Sequence, residues 1–224
     1  MPAEGALRSR RRRDRAVTDF SLIETLRYDP AAGLVRRRLH LARLIRSARR
    51  LGFAGAATAG ERLDEAVHGA GQPLRVRLTL SRDGTVAVAT APFTPLPADT
   101  TWRVRIASTR LDSGDRLLRM KTTRRHVYET ARGEFSLEEA DEVILLNEKG
   151  EVCEGTITSV FFDDGSGVFK TPPIACGLLA GVLRSDLICG RRARTTRLLP
   201  ADLRHGRLFI GNSLRGLIRA ELVV

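Results

Sequence analysis

The stretch that decides the fold runs from Asp141 to Arg184 and reads DEVILLNEKGEVCEGTITSVFFDDGSGVFKTPPIACGLLAGVLR. Its first apolar run, EVILLN, predicts a buried strand, and the turn signal EKGE follows directly. Two further short strands, TSVFF and GVFK, flank Asp164 and Gly165, and a helix is predicted to begin near Gly181. The segment therefore predicts a strand-rich unit that ends in a helix.

Strands and helices continue to alternate on both sides of that stretch. WRVRIAS upstream and RLFIGNS downstream are strand patterns, and a helix is predicted near Thr123 to Arg132. Further upstream, the proline-containing loop between Ala91 and Thr101 separates two halves of the chain. We therefore predict an α/β (α+β) fold with a small N-terminal domain at residues 18–98 and a larger C-terminal domain at residues 99–224.

Two helices are predicted in the N-terminal half. Apolar residues recur at helical spacing from about Arg37 to Leu51, and Gly52 closes this helix. The predicted buried face consists of Leu41, Leu44, Ile45, Ala48 and Leu51. A second helix is predicted around Glu61 to Val67.

A hairpin is the clearest strand signal in the same half. LRVRLTLSRDGTVAVAT alternates on either side of Arg82, Asp83 and Gly84, which is typical of two antiparallel strands joined by a tight turn. By contrast, SLIETLRYD (Ser21 to Asp29) mixes strand and helix character and stays open between the two, while the PAAG that follows predicts a turn.

Length and composition fit a soluble globular protein. The 224 residues can bury a core, and 42% of them are hydrophobic. No apolar run approaches the roughly 20 residues that span a bilayer, and the basic start lacks the apolar stretch of a secretory signal. The three cysteines form no close metal-ligand pair, so we expect no metal and a reduced, cytoplasmic protein.

The net charge of +12 raises the question of nucleic-acid binding. Only three of the 38 basic residues are lysines, the arginines are spread along the chain, and aromatic residues make up 5%. Because nucleic-acid sites usually cluster positive charge with aromatics, we interpret the charge as compositional bias. The exception is RSRRRRDR (Arg8 to Arg15), which predicts a disordered basic tail at residues 1–17.

The few lysines narrow the search for a nucleophilic amine. Lys149 lies in the predicted turn NEKG, and Lys170 ends a short strand. Lys121 lies between the segment LLRM and a predicted helix start, TTRR. Taken alone, Lys121 would pass for a surface lysine, and the motifs around it change that interpretation.

Several motifs, collinear from about Phe20 to Leu217, resemble the class IV aminotransferase family of pyridoxal-phosphate enzymes, closest to its aminodeoxychorismate lyase branch. The opening stretch matches the family signature, with a glutamate before a strand pair and a TPP turn before a glycine loop and helix. MKTTRRHVY matches the region of the Schiff-base lysine, HLARL matches the H-L-x-R-L helix, and LFIGNSLRG matches an N-S-x-R-G segment of the lyase branch.

The resemblance implies a two-domain fold with the cofactor pyridoxal 5'-phosphate held between the domains, and a homodimer. Lys121 would form the Schiff base, which needs a primary amine that arginine lacks. Glu154 would lie beside the pyridine nitrogen and keep it protonated. The resemblance also points to aminodeoxychorismate synthase as a partner, because the lyase module occurs fused to that enzyme.

The phosphate would be bound by Arg43, by the helix start at Val182 and Leu183, and by Asn212 and Ser213. Arg46 and Arg50 are expected on the same helix face as Arg43. A carboxylate-bearing substrate calls for the bidentate fork of arginine, and the candidates are Arg77, Arg27 and Arg215.

Three features depart from the family pattern. Ser159 stands where the family usually has asparagine, and Met120 precedes the lysine where the lyase branch often has histidine. The opening strands of stand-alone members are not visible before Glu24, as in the lyase module fused to the synthase. These departures leave the exact substrate open.

The resemblance predicts conversion of 4-amino-4-deoxychorismate to 4-aminobenzoate and pyruvate, a step of folate synthesis, with Lys121 as general base. A branched-chain or D-amino-acid aminotransferase would share Lys121, Glu154 and Arg43, so these residues do not separate the two reactions. A cofactor-free basic binding protein on the same scaffold is the third interpretation.

Overall fold

The computed structural model describes residues 20–223, so the basic segment from Arg8 to Arg15 lies outside the described residues. These residues form a mixed α and β structure with two sheets. The first sheet has four antiparallel strands in the order β2-β1-β3-β4. Its strands are β1 (Leu22–Asp29), β2 (Gly33–Leu34), β3 (Leu74–Leu80) and β4 (Val86–Pro92).

The second sheet has eight strands in the order β10-β9-β8-β11-β12-β5-β6-β7. They are β5 (Thr101–Leu111), β6 (Glu142–Asn147), β7 (Val152–Gly155), β8 (Ser159–Asp163), β9 (Phe169–Thr171), β10 (Ala193–Thr195), β11 (Arg207–Asn212) and β12 (Gly216–Leu222). An additional pairing of Glu154 in β7 with Ser159 in β8 closes six of these strands into a ring. Glu154, which matches the glutamate of the family signature, therefore lies where the ring of strands closes.

Within the described part of the chain, four α-helices cover the sheets: α1 (Arg37–Leu51), α2 (Ala59–Val67), α3 (His126–Arg132) and α4 (Val182–Cys189). Helices α1 and α2 share a core with one face of the first sheet, in which Leu26, Leu44 and Leu63 are almost completely buried. Gly52 ends α1 in the left-handed conformation, as predicted. Within residues 20–223, no helix is both long enough and apolar enough to cross a membrane.

The predicted hairpin is confirmed, because β3 pairs with β4 in antiparallel register. Leu74 lies opposite Pro92 at one end of the hairpin, and Leu80 lies opposite Val86 at the other. Strand β3 alternates as expected, with Leu74, Val76, Leu78 and Leu80 in the core and its arginines on the other face. The ambiguous segment after Ser21 is a strand, β1, and not a helix. The proline-containing loop joins β4 to β5, between the two sheets, and the domain boundary within it stays a prediction.

Two expectations about the helices were wrong. Ile45 is 49% exposed, because the buried face of α1 passes through His40, Arg43 and Leu44 and turns position 45 outward. The helix predicted near Thr123 begins at His126, because the preceding residues pair with β1 in extended form. A hydrophobic pattern shows neither the buried polar side chains of α1 nor the backbone hydrogen bonds of the segment before α3.

Two glycines pack back to back where the loop before α2 meets the hairpin turn. Gly55 has a φ of 74°, and a Cβ atom on it would lie 2.0 Å from the carbonyl oxygen of Gly84. Gly52 has a similar φ of 71°, but a Cβ atom there would meet nothing within 4 Å. Substitution of Gly52 therefore introduces backbone strain alone, whereas substitution of Gly55 introduces the same strain and a steric clash.

We expect Gly52→Ala to cost about 1 kcal/mol of unfolding free energy, from left-handed strain alone. Gly55→Ala should cost a further ~2 kcal/mol or more, because the backbone of the hairpin must move. Urea unfolding of the two variants beside the parent chain measures the difference. Equal losses would contradict the close packing of Gly55 against Gly84.

Candidate active site

A cavity of about 440 Å³ lies between the two sheets and is lined by residues of both. From the first sheet and α1 come Ile23, Thr25, His40 and Arg43. The second sheet and its loops contribute, among others, Lys121, Glu154, Ser213 and the start of α4. The cavity therefore collects residues that are far apart in the sequence.

Lys121 reaches this cavity because its backbone adds to the edge of β1. The amide of Ile23 donates to the carbonyl of Lys121 at 2.9 Å, and Leu22 bridges to Thr122 in antiparallel register. Burial and, next to it, the positive charge of the nearby Arg43 guanidinium together lower the pKa of the Lys121 amine to about 8, although Glu24 opposes the shift. A substantial fraction of this amine is therefore neutral, and nucleophilic, slightly above neutral pH.

Glu154 faces the same cavity from β7 and is only 5% exposed. One of its carboxylate oxygens accepts from the Tyr128 hydroxyl at 2.7 Å and from the Leu179 amide at 3.1 Å. Burial raises the pKa of Glu154 to about 7, although both hydrogen bonds oppose the rise. The Arg125 guanidinium lies 5.0 Å from the centre of the Tyr128 ring and donates to the carbonyl of Thr156 at 2.6 Å.

Arg43 is held by a buried carboxylate that the sequence had not singled out. Its Nε and Nη2 donate to the two oxygens of Glu24 at 2.8 and 2.6 Å, and its Nη1 donates to the carbonyl of Ala180 at 3.2 Å. His40 Nδ1 lies 2.6 Å from the same carboxylate, and its Nε2 lies 2.8 Å from the Ser213 hydroxyl. This hydrogen-bond chain joins the first sheet to the loop after β11.

The electrostatics of this chain favour an ionised glutamate. Burial by itself raises the pKa of Glu24, but the contacts with Arg43 and His40 outweigh it and lower the pKa to about 2. Burial lowers the pKa of His40, although Glu24 opposes the effect. The two hydrogen bonds from Glu24 also hold the Arg43 guanidinium in one position beside the cavity.

The start of α4 borders the cavity. Val182 and Leu183 line it, and the first-turn N–H groups of a helix have no acceptor within the helix. A Cβ atom on Gly181 would lie 2.5 Å from the Ser159 hydroxyl, so glycine and serine are packed together here. Ser159 therefore fits its surroundings although the family usually has asparagine at this position.

The loop after β11 completes the cavity wall. The side chain of Asn212 donates to the carbonyl of Ile157 at 3.2 Å and accepts from the amides of Leu214 and Arg215. Its role is to shape the loop, while the Ser213 hydroxyl faces His40. Met120, at the second departure from the family pattern, is buried in the cavity wall.

Two of the three arginines predicted to bind substrate, Arg77 and Arg215, line the cavity, and Arg27 does not. Arg27 lies on the same sheet face but further along β1, opposite Arg75. Arg46 and Arg50 point to solvent and do not share the buried position of Arg43. A surplus of arginine hides this distinction in the sequence, because spacing alone does not show which guanidinium meets a cavity.

Sequence reasoning missed His40, Tyr128 and Arg75, which line the cavity. It also missed Glu24, which binds His40 and Arg43 behind the cavity wall. A signal existed for His40, which is the histidine of the HLARL motif. A signal also existed for Glu24, the single acid on the core face of a strand whose neighbours Leu22 and Leu26 are apolar.

Together the fold and the cavity define a class of protein. A lysine amine of lowered pKa, a buried carboxyl group and the start of a helix converge in one cleft between two sheets. This set of groups is typical of an enzyme that binds a phosphorylated aldehyde cofactor. The comparison with known proteins gives the particular family. Residues 21–223 match the model of the amino-transferase class IV family, and the chain belongs to this family of enzymes.

Individual relatives carry two kinds of name. A crystal structure from Mesorhizobium loti, provisionally named an amino-acid aminotransferase, is 50% identical, has a TM-score of 0.88 and covers 92% of this chain and 100% of its own. A Schizosaccharomyces pombe protein, provisionally named an aminodeoxychorismate lyase, is 32% identical over 76% of this chain and 74% of its own length. A crystal structure provisionally named a 4-amino-4-deoxychorismate lyase is 29% identical, has a TM-score of 0.75 and covers 90% of this chain and 84% of its own.

We expect Glu24→Gln to lower the free energy of unfolding by about 3–5 kcal/mol, because it leaves the buried Arg43 without a counter-ion. The control is Glu65→Gln, which removes an exposed partner of Arg62 and should cost less than about 1 kcal/mol. Urea unfolding at neutral pH measures both variants, and similar losses would contradict the role of Glu24.

The same interaction predicts a pH dependence. The pKa of Glu24 is depressed in the folded state, so its contribution is complete above the ordinary value of 4.5 and is lost as the pH falls towards 2. The difference between the parent chain and Glu24→Gln should therefore shrink over this range.

Proposed function

We propose that the chain is a pyridoxal-phosphate-dependent lyase that converts 4-amino-4-deoxychorismate to 4-aminobenzoate and pyruvate. The observation that carries the proposal is the convergence of the Lys121 amine and the Glu154 carboxyl group in one cavity beside the start of α4. When bound, pyridoxal phosphate supplies an electron sink for charge that develops at the substrate carbon bearing the amine.

The residues of the cavity fit this cofactor. Lys121 is the one primary amine among the residues that line the cavity, and its lowered pKa favours attack on an aldehyde. Glu154 presents a carboxyl group with a pKa of about 7, which suits sharing a proton with a pyridine nitrogen. The amides of Val182 and Leu183, the guanidinium of Arg43 and the hydroxyl of Ser213 form a donor set that suits a phosphate.

Lys121 would also act as a general base once its amine is no longer bound to the cofactor. A neutral amine with a pKa near 8 is a competent general base at cellular pH, and it would remove the ring proton from the carbon that carries the substrate nitrogen. The bond between the ring carbon and the enolpyruvyl oxygen would then break, the enolate that leaves would take up a proton to become pyruvate, and the ring would become aromatic. Arg77 and Arg215 line the cavity, and we assign them to the substrate carboxylates.

Two runs outside the shared core favour the lyase over transamination. They are K-T-T-x-R at Lys121 to Arg125 and N-S-x-R-G at Asn212 to Gly216, which resemble the lyase branch. The competing candidate is an amino-acid aminotransferase, favoured by the name of the 50% identical relative. Both reactions use the same lysine, carboxyl group and phosphate site, so products must separate them.

We also propose that the protein acts as a homodimer in the cytoplasm, with a synthase that makes 4-amino-4-deoxychorismate as a partner. Two exposed apolar side chains support an interface near the site. Leu137 is 77% exposed and Ile157 is 48% exposed, and Ile157 lies in the cavity wall. A second chain over this region would remove apolar surface from water.

We expect the protein, supplied with pyridoxal phosphate and 4-amino-4-deoxychorismate, to release 4-aminobenzoate and pyruvate in equal amounts. Lys121→Arg should abolish release, because arginine keeps the charge but offers no amine of suitable reactivity. The control is Lys170→Arg, whose Nζ pairs with Asp164 at 2.5 Å outside the cavity and which should keep the activity. Transamination of an amino-acid panel without aromatic product would overturn the lyase assignment in favour of the aminotransferase.

A further inference from the structure

One face of the first sheet carries arginines towards the cavity. In the pairing of β1 with β3, Thr25 lies opposite Arg77, and Arg27 lies opposite Arg75. Ile23, two residues before Thr25, is the residue whose amide bonds to Lys121. Successive side chains on one strand face are about 7 Å apart. The sheet therefore places Arg77 nearer to Lys121 and Arg75 one step further away.

The second sheet contributes another arginine, Arg215, to the cavity wall. It lines the same cavity as Arg75, and its guanidinium lies 5.7 Å from the centre of the Trp102 ring. Burial lowers the pKa of Arg215; Glu142 opposes this shift, and the positive charge of Arg75 adds to it. The two guanidinium groups thus line one cavity from different sheets, and their positive charges disfavour each other.

Neither Arg75 nor Arg215 pairs directly with a carboxylate of the described residues, although Glu142 offsets part of the repulsion at a distance. Among residues 20–223, neither Arg75 nor Arg215 has a carboxylate oxygen within 4.0 Å of a guanidinium nitrogen. Glu142 is engaged elsewhere, because it accepts from the hydroxyls of Thr156 and Thr158 and from the amide of Ile157. Two cations that line one cavity without a directly bound carboxylate are an arrangement that an anionic ligand stabilises.

We propose that Arg75 and Arg215 jointly bind one substrate carboxylate, at the end of the cavity away from Lys121, and that the site therefore selects dicarboxylates. Arg77 binds the nearer carboxylate. This inference rests on the proposed function in taking the cavity as the substrate site, and it deepens that function by assigning the second carboxylate. 4-Amino-4-deoxychorismate, with one carboxylate on the ring and one on the enolpyruvyl group, meets the requirement.

The test uses the holoenzyme and two probes of equal chain length, adipate with two carboxylates and hexanoate with one. Isothermal titration calorimetry measures the dissociation constants of both probes. The parent protein should prefer adipate by about tenfold or more, since a charge-assisted bidentate contact contributes at least that much. Arg75→Gln and Arg215→Gln should each reduce the preference to less than about threefold, and Arg75→Lys should restore only part of it.

The double variant distinguishes one shared carboxylate from two separate sites. If both arginines bind the same group, the variant carrying Arg75→Gln and Arg215→Gln should lose little beyond either single variant. The control is Arg46→Gln, which alters an exposed arginine of α1 outside the cavity and should leave both dissociation constants unchanged.

An unchanged adipate preference in Arg75→Gln, equal weakening of adipate and hexanoate, or additive losses in the double variant would each overturn the shared clamp. Arg215→Lys keeps the charge beside Trp102 and replaces Arg215→Gln if the latter does not fold. The outcome is independent of the product assay. Transamination would overturn the lyase reaction and would not affect the proposed carboxylate site. Lyase activity together with an intact adipate preference in Arg75→Gln would support the lyase reaction and overturn the carboxylate site.

Discussion

The carboxylate of Glu24 is the point on which the cavity depends, because it is buried on the core face of β1 and binds two cationic or polar partners from α1. Its bidentate pairing with Arg43 fixes the helix against the first sheet. Through His40 it also reaches Ser213 in the second sheet. A buried ion pair adds little net stability compared with apolar packing, but the loss of one partner is costly. We infer that it specifies how the two walls of the cavity face each other.

Burial acts in opposite directions on the two groups to which we assign the chemistry. It lowers the pKa of Lys121 to about 8 and raises the pKa of Glu154 to about 7, because each loses hydration of its charged form. Both groups are therefore close to their titration midpoints near neutral pH. Such a pair suits proton transfer better than a fully ionised lysine and glutamate would.

Local signals predicted much of this fold. Alternation gave the β3–β4 hairpin, and helical spacing with a terminal glycine gave α1 to its last residue. Strand β1 stayed ambiguous because Glu24 interrupts its apolar face, and only a partner nineteen positions away explains a carboxylate there. The residues after Lys121 were assigned to a helix because nothing in their pattern shows that β1 offers them a free edge.

Local sequence motifs likewise predicted only part of the candidate site. The motifs identified Lys121, Glu154 and Arg43, whose residue types the chemistry itself requires. They did not separate Arg77, which lines the cavity, from Arg27, which does not, and they did not indicate Arg75. Which guanidinium faces the cavity depends on the register of the strands. Such long-range placement is a property of the tertiary structure and not of local spacing.

The most direct test of the central assignment is to locate the covalent adduct with the cofactor. The purified protein is incubated with pyridoxal phosphate, reduced with sodium borohydride, digested and analysed by mass spectrometry. The assignment predicts one stoichiometric pyridoxyl modification, on the peptide that contains Lys121, and none on Lys149 or Lys170. A protein that stays colourless and unmodified, or one modified mainly at another lysine, would contradict it.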